Sequence, residues 1–285
     1  MTHTSHAESS GPRIIAHRGF AGVAPENTLA AFRAVADGTH PAAMIELDVM
    51  PCADGTPVVF HDLRLDDGGN ARGITDGEGV VWETSLEEIR AARILDTDQH
   101  VPTLREALDA IAPKISVNVE LKNPGSFDAR PGEALDPKEV DARRDQWDPF
   151  VEAVLAELDG ERRKLLISSF CEPALASVRD LAPELPAAAL ISHAPEDGLL
   201  VAERYECEAI HPRVDAIKGT PFFDPPDGER ELDLLAEAAD LGCTVNVWTV
   251  RTWQEAHWLR KAGVDGLIAD YPGLLAWSDD GEVGR

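Results

Sequence analysis

The chain has 285 residues, with 52 Asp and Glu against 26 Lys and Arg and a formal net charge of −26. A surface that negative repels polyphosphate backbones and anionic bilayers, so it argues against nucleic acid or a membrane as partner and makes any phosphate-bearing substrate depend on a local cation. Hydrophobic residues at 44% and charged residues at 27% are globular values, which rule out a disordered or fibrous chain, and the length suits two ordinary domains or one large α/β barrel.

Residues 1–12 are polar, carry His3 and His6 and lack an apolar signal-like core, so they read as a disordered tail. No apolar run reaches the ~18 residues of a membrane span, and the expectation is a soluble, cytoplasmic protein. Short apolar runs rich in β-branched residues then recur at Arg13 to His17, Ala43 to Val49, Ile115 to Lys122, Lys164 to Ser168, Ala187 to Ile191, Ala209 to His211, Thr244 to Thr249 and Gly266 to Ala269. Helical patterns separate them. Ser85 with Glu88, Thr103 with Glu106 and Thr252 with Glu255 fit capping boxes, and Gly242 and Gly263 sit where helices stop. Eight strand-helix alternations in this length predict a TIM (β/α)8 barrel over residues 13–277, with a doubly wound open sheet as the alternative. Residues 278–285 read as a C-terminal tail.

Two stretches break the rhythm. After the second strand come an extra strand-like piece, Pro57 to His61, a Gly- and Asp-rich loop and a short helix from Ser85, which together predict an inserted subdomain over about residues 62–101. Between Asn123 and Asp145 lies a charged stretch too long for an ordinary βα loop, readable as a lid or as disordered surface. Cys52, Cys171, Cys207 and Cys243 form no C-x-x-C pair, so buried reduced thiols are expected. Six Lys against twenty Arg fit either a salt-rich cytoplasm or a GC-rich coding bias.

In a parallel barrel the site lies at the C-terminal strand ends, and polar residues concentrate at the first few of these. The first strand ends in His17-Arg18-Gly19, the second contains Glu46-Leu47-Asp48, the inserted one ends in His61-Asp62, and the next barrel strand carries Glu120-Leu121-Lys122. Strand alternation puts Glu46 with Asp48, and Glu120 with Lys122, on common faces. Three converging carboxylates repel one another unless a proton or cation joins them, and an all-oxygen set favours Mg²⁺ or Ca²⁺. Read singly, E-x-D and E-x-K are ordinary solvated or ion-paired strand ends. His17 and His61 at matching strand ends, with Arg18 and Lys122 near, instead look like an acid/base pair bracketing an anion. His211, ending the sixth barrel strand, is ambiguous.

The ordered runs His17-Arg18-Gly19, Pro25-Glu26-Asn27-Thr28, Glu46-x-Asp48, Asp54-Gly55 and Val58-Val59-Phe60-His61-Asp62 resemble the glycerophosphodiester phosphodiesterase family. Pro102-Thr103-Leu104, Glu120-Leu121-Lys122, Asn246-Val247-Trp248-Thr249-Val250 and Gly263-Val264-Asp265-Gly266 extend the likeness over about residues 13–277. The resemblance implies a TIM barrel with an insertion after the second strand, and divalent-metal-dependent hydrolysis of glycerophosphodiesters to glycerol 3-phosphate and an alcohol. It further implies His17 and His61 as the acid/base pair, Glu46, Asp48 and Glu120 as metal ligands, Arg18 and Lys122 as phosphate contacts and Trp248 as a wall of the glycerol pocket. Trp248 fits barrel filling equally well, and Asn27 and Thr28 fit a loop fastener and a helix cap.

The sequence departs from the family in two places. Leu65 to Arg72 replaces an Arg- and Thr-rich stretch, and Ile268-Ala269-Asp270 stands where a Thr is usual. Attack by water and attack by the substrate's own glycerol hydroxyl, through a cyclic phosphate, both fit these residues. Other readings are a phosphodiesterase acting on lyso-phospholipids or other diesters, and a non-catalytic barrel binding a divalent ion or glycerophosphate. The first would want a membrane-binding feature, and the second has no use for two histidines. A metal-dependent amidohydrolase would want an H-x-H pair where Ile15-Ala16-His17 stands.

Overall fold

The computed structural model describes residues 11–69, 71–123, 130–224 and 232–275. Nine strands form one sheet: β1 (Arg13–His17), β2 (Met44–Pro51), β3 (Pro57–Val59), β4 (Ser116–Leu121), β5 (Leu165–Ser169), β6 (Ala187–Ile191), β7 (Ala209–Pro212), β8 (Thr244–Val250) and β9 (Gly266–Ala269). Eight are parallel, and the sheet closes because β1 pairs with both β2 and β9, through Ile15 with Met44 and with Ile268. Closure rules out the open-sheet alternative and makes the fold a TIM barrel. The ninth strand, β3, runs antiparallel to β2, with Val49 opposite Val59, and leads into the insertion.

The helices are α1 (Leu29–Ala36), α2 (Leu86–Ala91), α3 (Leu104–Ala110), α4 (Pro137–Leu158), α5 (Glu172–Leu181), α6 (Pro195–Arg204), α7 (Leu234–Leu241) and α8 (Trp253–Ala262). Capping boxes at Ser85, Thr103 and Thr252 open α2, α3 and α8, and Gly242 and Gly263 end α7 and α8 in the left-handed conformation. Thr28 caps α1 by accepting from the Ala31 amide. Among the described residues, no helix is long and apolar enough to cross a membrane.

The stretch after Asn123 differs from its sequence reading. Asp136 caps α4 with Glu139 completing a capping box and Pro137 in the first turn, so the second half of the supposed loop is helix. Its charged composition hid an apolar stripe of Trp147, Phe150, Val151, Val154 and Leu158 buried against the barrel, with Val140 buried beside Leu135 and Ala176. Residues 124–129, part of the lid-or-surface reading, lie outside the described residues, as do residues 1–10 and 276–285.

The insertion packs on a small core apart from the barrel's, where its Leu65, Val81, Ile89, Ile94 and Val101 meet Met50, Cys52, Val58 and Phe60 of the β2–β3 hairpin. That independent burial explains how a segment lacking the barrel rhythm stays anchored to β2 and β3. All four cysteines are buried and free.

Candidate active site

Strand register stacks the predicted side chains in layers at one end of the barrel. His17 pairs with Glu46 across β1 and β2, and Asp48 pairs with Glu120 across β2 and β4. His17, Arg18, Glu46, His61, Glu120, Lys122 and Trp248 all line one cavity of about 340 Å³, a small-molecule size. Asp48 is fully buried at its side, and Glu46, Asp48 and Glu120 each offer an oxygen within 4.8 Å of the others.

The loop after β1 is built to hold Arg18. Arg18 takes a left-handed φ of 52°, costly for a non-glycine residue, and its backbone N–H donates to Glu46 Oε2 at 3.0 Å. Its side chain reaches Glu26 Oε1 at 3.0 Å and Asp48 Oδ2 at 3.0 Å. Asn27 fastens the loop from the other side, its amide donating to Asp48 Oδ2 at 2.9 Å. Gly19 follows with φ 77°, and a Cβ there would stand 2.7 Å from Ala31 Cβ on α1. Gly19→Ala is therefore expected to destabilise the protein by about 2 kcal/mol or more, from left-handed strain plus overpacking, checked by the midpoint of denaturant unfolding.

Each histidine is tied by Nδ1 to a carboxylate, which leaves Nε2 for a ligand. His17 Nδ1 lies 2.5 Å from Asp270 Oδ1, just past β9, and His61 Nδ1 lies 2.7 Å from Asp62 Oδ1. Burial pulls the His17 imidazole below its ordinary value against the pull of the Asp270 hydrogen bond. Asp270 in turn accepts from Arg251 Nε at 2.8 Å. The predicted strand to His61 is shorter than expected: β3 ends at Val59, Phe60 still donates to the Asp48 carbonyl, and His61 and Asp62 begin the turn into the insertion.

The carboxylates divide their charge unevenly. Burial disfavours the ionised Asp48 carboxyl, but Arg18, Lys122 and His61 overcome this and hold it far below the usual range. Glu46 is pushed well above its usual value by burial, then by Asp48 and Glu120. Lys122 stands 2.7 Å from Glu120 Oε1 and 3.5 Å from Asp48 Oδ1, and these charges raise its ammonium above the ordinary range despite burial.

Two oxygens of this cluster, Glu46 Oε1 and Asp48 Oδ1, are buried without a hydrogen-bond partner. Buried carboxylate oxygens without hydrogen bonds are costly unless a proton or a close cation meets them, and with Lys122 at 3.5 Å from Asp48 Oδ1 the all-oxygen donor set fits a hard divalent ion.

Sequence reasoning passed over several residues here. Glu26 and Asp62 lie inside recognised runs but had no role assigned to them. Asp270 stood at a strand end, and only barrel closure sets it beside His17. Arg72 had no local signal, yet it lines the cavity and bonds both Glu26 and Asp62. His211 is fully buried on the cavity wall, its Nε2 3.0 Å from the Asn246 amide, and burial pushes it down to about 3, so it is neutral. Its backbone carbonyl accepts from Trp248 Nε1 at 2.6 Å, and Trp248 meets Phe170 edge-on at 5.4 Å, forming the aromatic side of the cavity.

The arrangement offers two cations to a small anion, three carboxylates that could hold a metal ion and two imidazoles able to transfer a proton. The chain is 32% identical to a glycerophosphodiester phosphodiesterase of Caldanaerobacter subterraneus subsp. tengcongensis, over 92% of this chain and 95% of the relative. It is 29% identical to one from Bacillus altitudinis, over 91% and 95% of the two chains. The structure of an Oleispira antarctica phosphodiesterase in complex with the product sn-glycerol-3-phosphate superposes with a TM-score of 0.72 at 27% identity, covering 95% of this chain and 97% of that one. Residues 17–274 match the glycerophosphoryl diester phosphodiesterase family, and the chain belongs to that family of enzymes that hydrolyse glycerophosphodiesters.

Proposed function

We propose that the protein hydrolyses glycerophosphodiesters to sn-glycerol 3-phosphate and an alcohol with a divalent metal ion, Mg²⁺ or Ca²⁺, and with His17 and His61 as acid and base. The observation that carries this reading is the meeting of two carboxylate-tethered histidines with three buried carboxylates, two of whose oxygens accept no hydrogen bond. Glu46, Asp48 and Glu120 would hold the ion, which when bound supplies positive charge to the phosphoryl oxygens.

The chain's own residues account for the remaining work. Arg18 and Lys122 flank the carboxylates and offer donors to the phosphate, offsetting the charge that makes a diester monoanion resist nucleophiles. One imidazole takes the proton of the attacking hydroxyl, and the other gives a proton to the departing alcohol oxygen. Asp270 and Asp62 hold the two rings by Nδ1, so that Nε2 is the exchanging atom in each. Trp248 and Phe170 supply an apolar wall against which a glycerol carbon chain can lie. The product bound by the Oleispira antarctica relative is the product proposed here. The strong negative charge favours small soluble diesters over substrates in an anionic bilayer.

The test is release of glycerol 3-phosphate from glycerophosphocholine and glycerophosphoethanolamine, with Mg²⁺, with Ca²⁺ and with chelator, at low and molar salt. Release with a divalent ion and none with chelator is expected. Equal release in chelator would overturn the metal requirement, and no release from folded protein under any condition would overturn the substrate class.

A further inference from the structure

We propose that Arg72, delivered by the insertion, is a positioning residue that sets both His61 and Arg18 for the reaction; this rests on the roles proposed for those two residues above. The guanidinium of Arg72 spans two carboxylates. Its Nη1 donates to Glu26 Oε2 at 2.7 Å and its Nη2 to Glu26 Oε1 at 2.6 Å, a two-pronged fork. Its Nε lies 3.1 Å from both oxygens of Asp62, and its backbone N–H donates to Asp62 Oδ2 at 2.9 Å.

Each carboxylate so held is the partner of a site residue. Glu26 Oε1 receives Arg18 Nη1 at 3.0 Å, and Asp62 Oδ1 receives His61 Nδ1 at 2.7 Å. Glu26 lies in the loop after β1 and Asp62 in the turn after β3, so Arg72 cross-links the two loops that carry Arg18 and His61. Both carboxylates are nearly inaccessible, at 9% and 6% exposure, whereas the Arg72 side chain is 41% exposed and lines the cavity.

Without the Arg72 guanidinium, buried Glu26 would keep Arg18 as its ion-pair partner and pull harder on the cation that Asp48 also holds. Asp62 would lose its Nε and Nη2 donors and keep only the backbone N–H of residue 72, which loosens the carboxylate that anchors the His61 ring. The bridge uses all three guanidinium nitrogens, fanned out in one rigid plane, which a lysine ammonium cannot supply from one point.

The experiment compares Arg72→Gln, Arg72→Lys, Asp62→Asn and His61→Ala in steady-state hydrolysis of glycerophosphocholine, with thermal melts on each. Arg72→Gln is expected to lower kcat about 10- to 100-fold, in the range of losses seen when groups supporting a site's first contacts are removed. Arg72→Lys is expected to recover most of the melting temperature but little of kcat, which separates geometry from charge. The double variant of Arg72→Gln with Asp62→Asn should lose much less than the product of the two single losses, because both cut one linkage. Where Arg72→Gln does not fold, Arg72→Lys and the near-isosteric Asp62→Asn carry the test. Near-normal kcat in Arg72→Lys and Asp62→Asn, a loss confined to KM, or fully multiplicative losses would overturn the proposal. With His61→Ala inactive, such a result leaves the proposed reaction standing; near-normal turnover in His61→Ala would instead overturn the role of His61 and this inference with it.

Discussion

Replacing His17 by Ala is expected to lower turnover at least about 100-fold with the fold intact, the usual loss for an acid/base group. His17 is the last residue of β1, partly exposed to the cavity, and makes one side-chain hydrogen bond, to Asp270. Its removal therefore takes away a proton-transfer group and leaves the buried layers of Ile15 and Ala16 in place. Far-UV circular dichroism and a thermal melt check the fold, and single-turnover release of glycerol 3-phosphate checks the step. Near-normal turnover would remove His17 from the mechanism. Asp270→Asn should give a smaller loss than His17→Ala, since it alters the ring's tether but keeps the ring.

The second large effect concerns the carboxylates. Glu46 is raised well above the ordinary carboxyl range by burial and by Asp48 and Glu120, so at pH below that raised value the free site holds a proton there. A divalent ion needs that carboxylate ionised, and binding must expel the proton. The sign follows. Raising the pH towards the raised Glu46 value removes the competing proton, so metal affinity should climb by about tenfold per pH unit for one proton released and level off above that value. Titration calorimetry in buffers of different ionisation enthalpy measures the released proton directly. Glu46→Gln should abolish that proton release and weaken metal binding by at least about tenfold, since a neutral amide replaces an anionic ligand. Unchanged affinity and unchanged proton release in Glu46→Gln would unseat it as a ligand.

Much of this architecture is written locally. The β-branched runs become the eight barrel strands because each is apolar enough to be buried on both faces, as a parallel sheet requires. The capping boxes at Ser85, Thr103 and Thr252 act within one turn of chain, so they are visible to anyone reading four residues at a time. The convergence of Glu46, Asp48 and Glu120 follows from strand alternation plus the parallel register of β2 and β4. Helix α4 was missed for the opposite reason. Its start signal, Asp136-Pro137 with Glu139, was present, but charged residues between the widely spaced buried ones obscured the helical period.

By itself the sequence determined the strand order in the chain, the site of the insertion and which side chains could carry the chemistry, because these depend on residue type and short spacing. Closure was decided only in three dimensions. It sets Asp270 against His17 although 253 residues separate them, a contact that no local pattern encodes. The same holds for Arg72, whose reach of 46 residues back to Glu26 exists because the insertion folds on a core apart from the barrel's and turns one arginine to the cavity. The balance of charge among Glu46, Asp48 and Lys122 is likewise tertiary, since burial and close charges such as Lys122 at 3.5 Å from Asp48, not composition, decide which carboxyl is held ionised and which is pushed up.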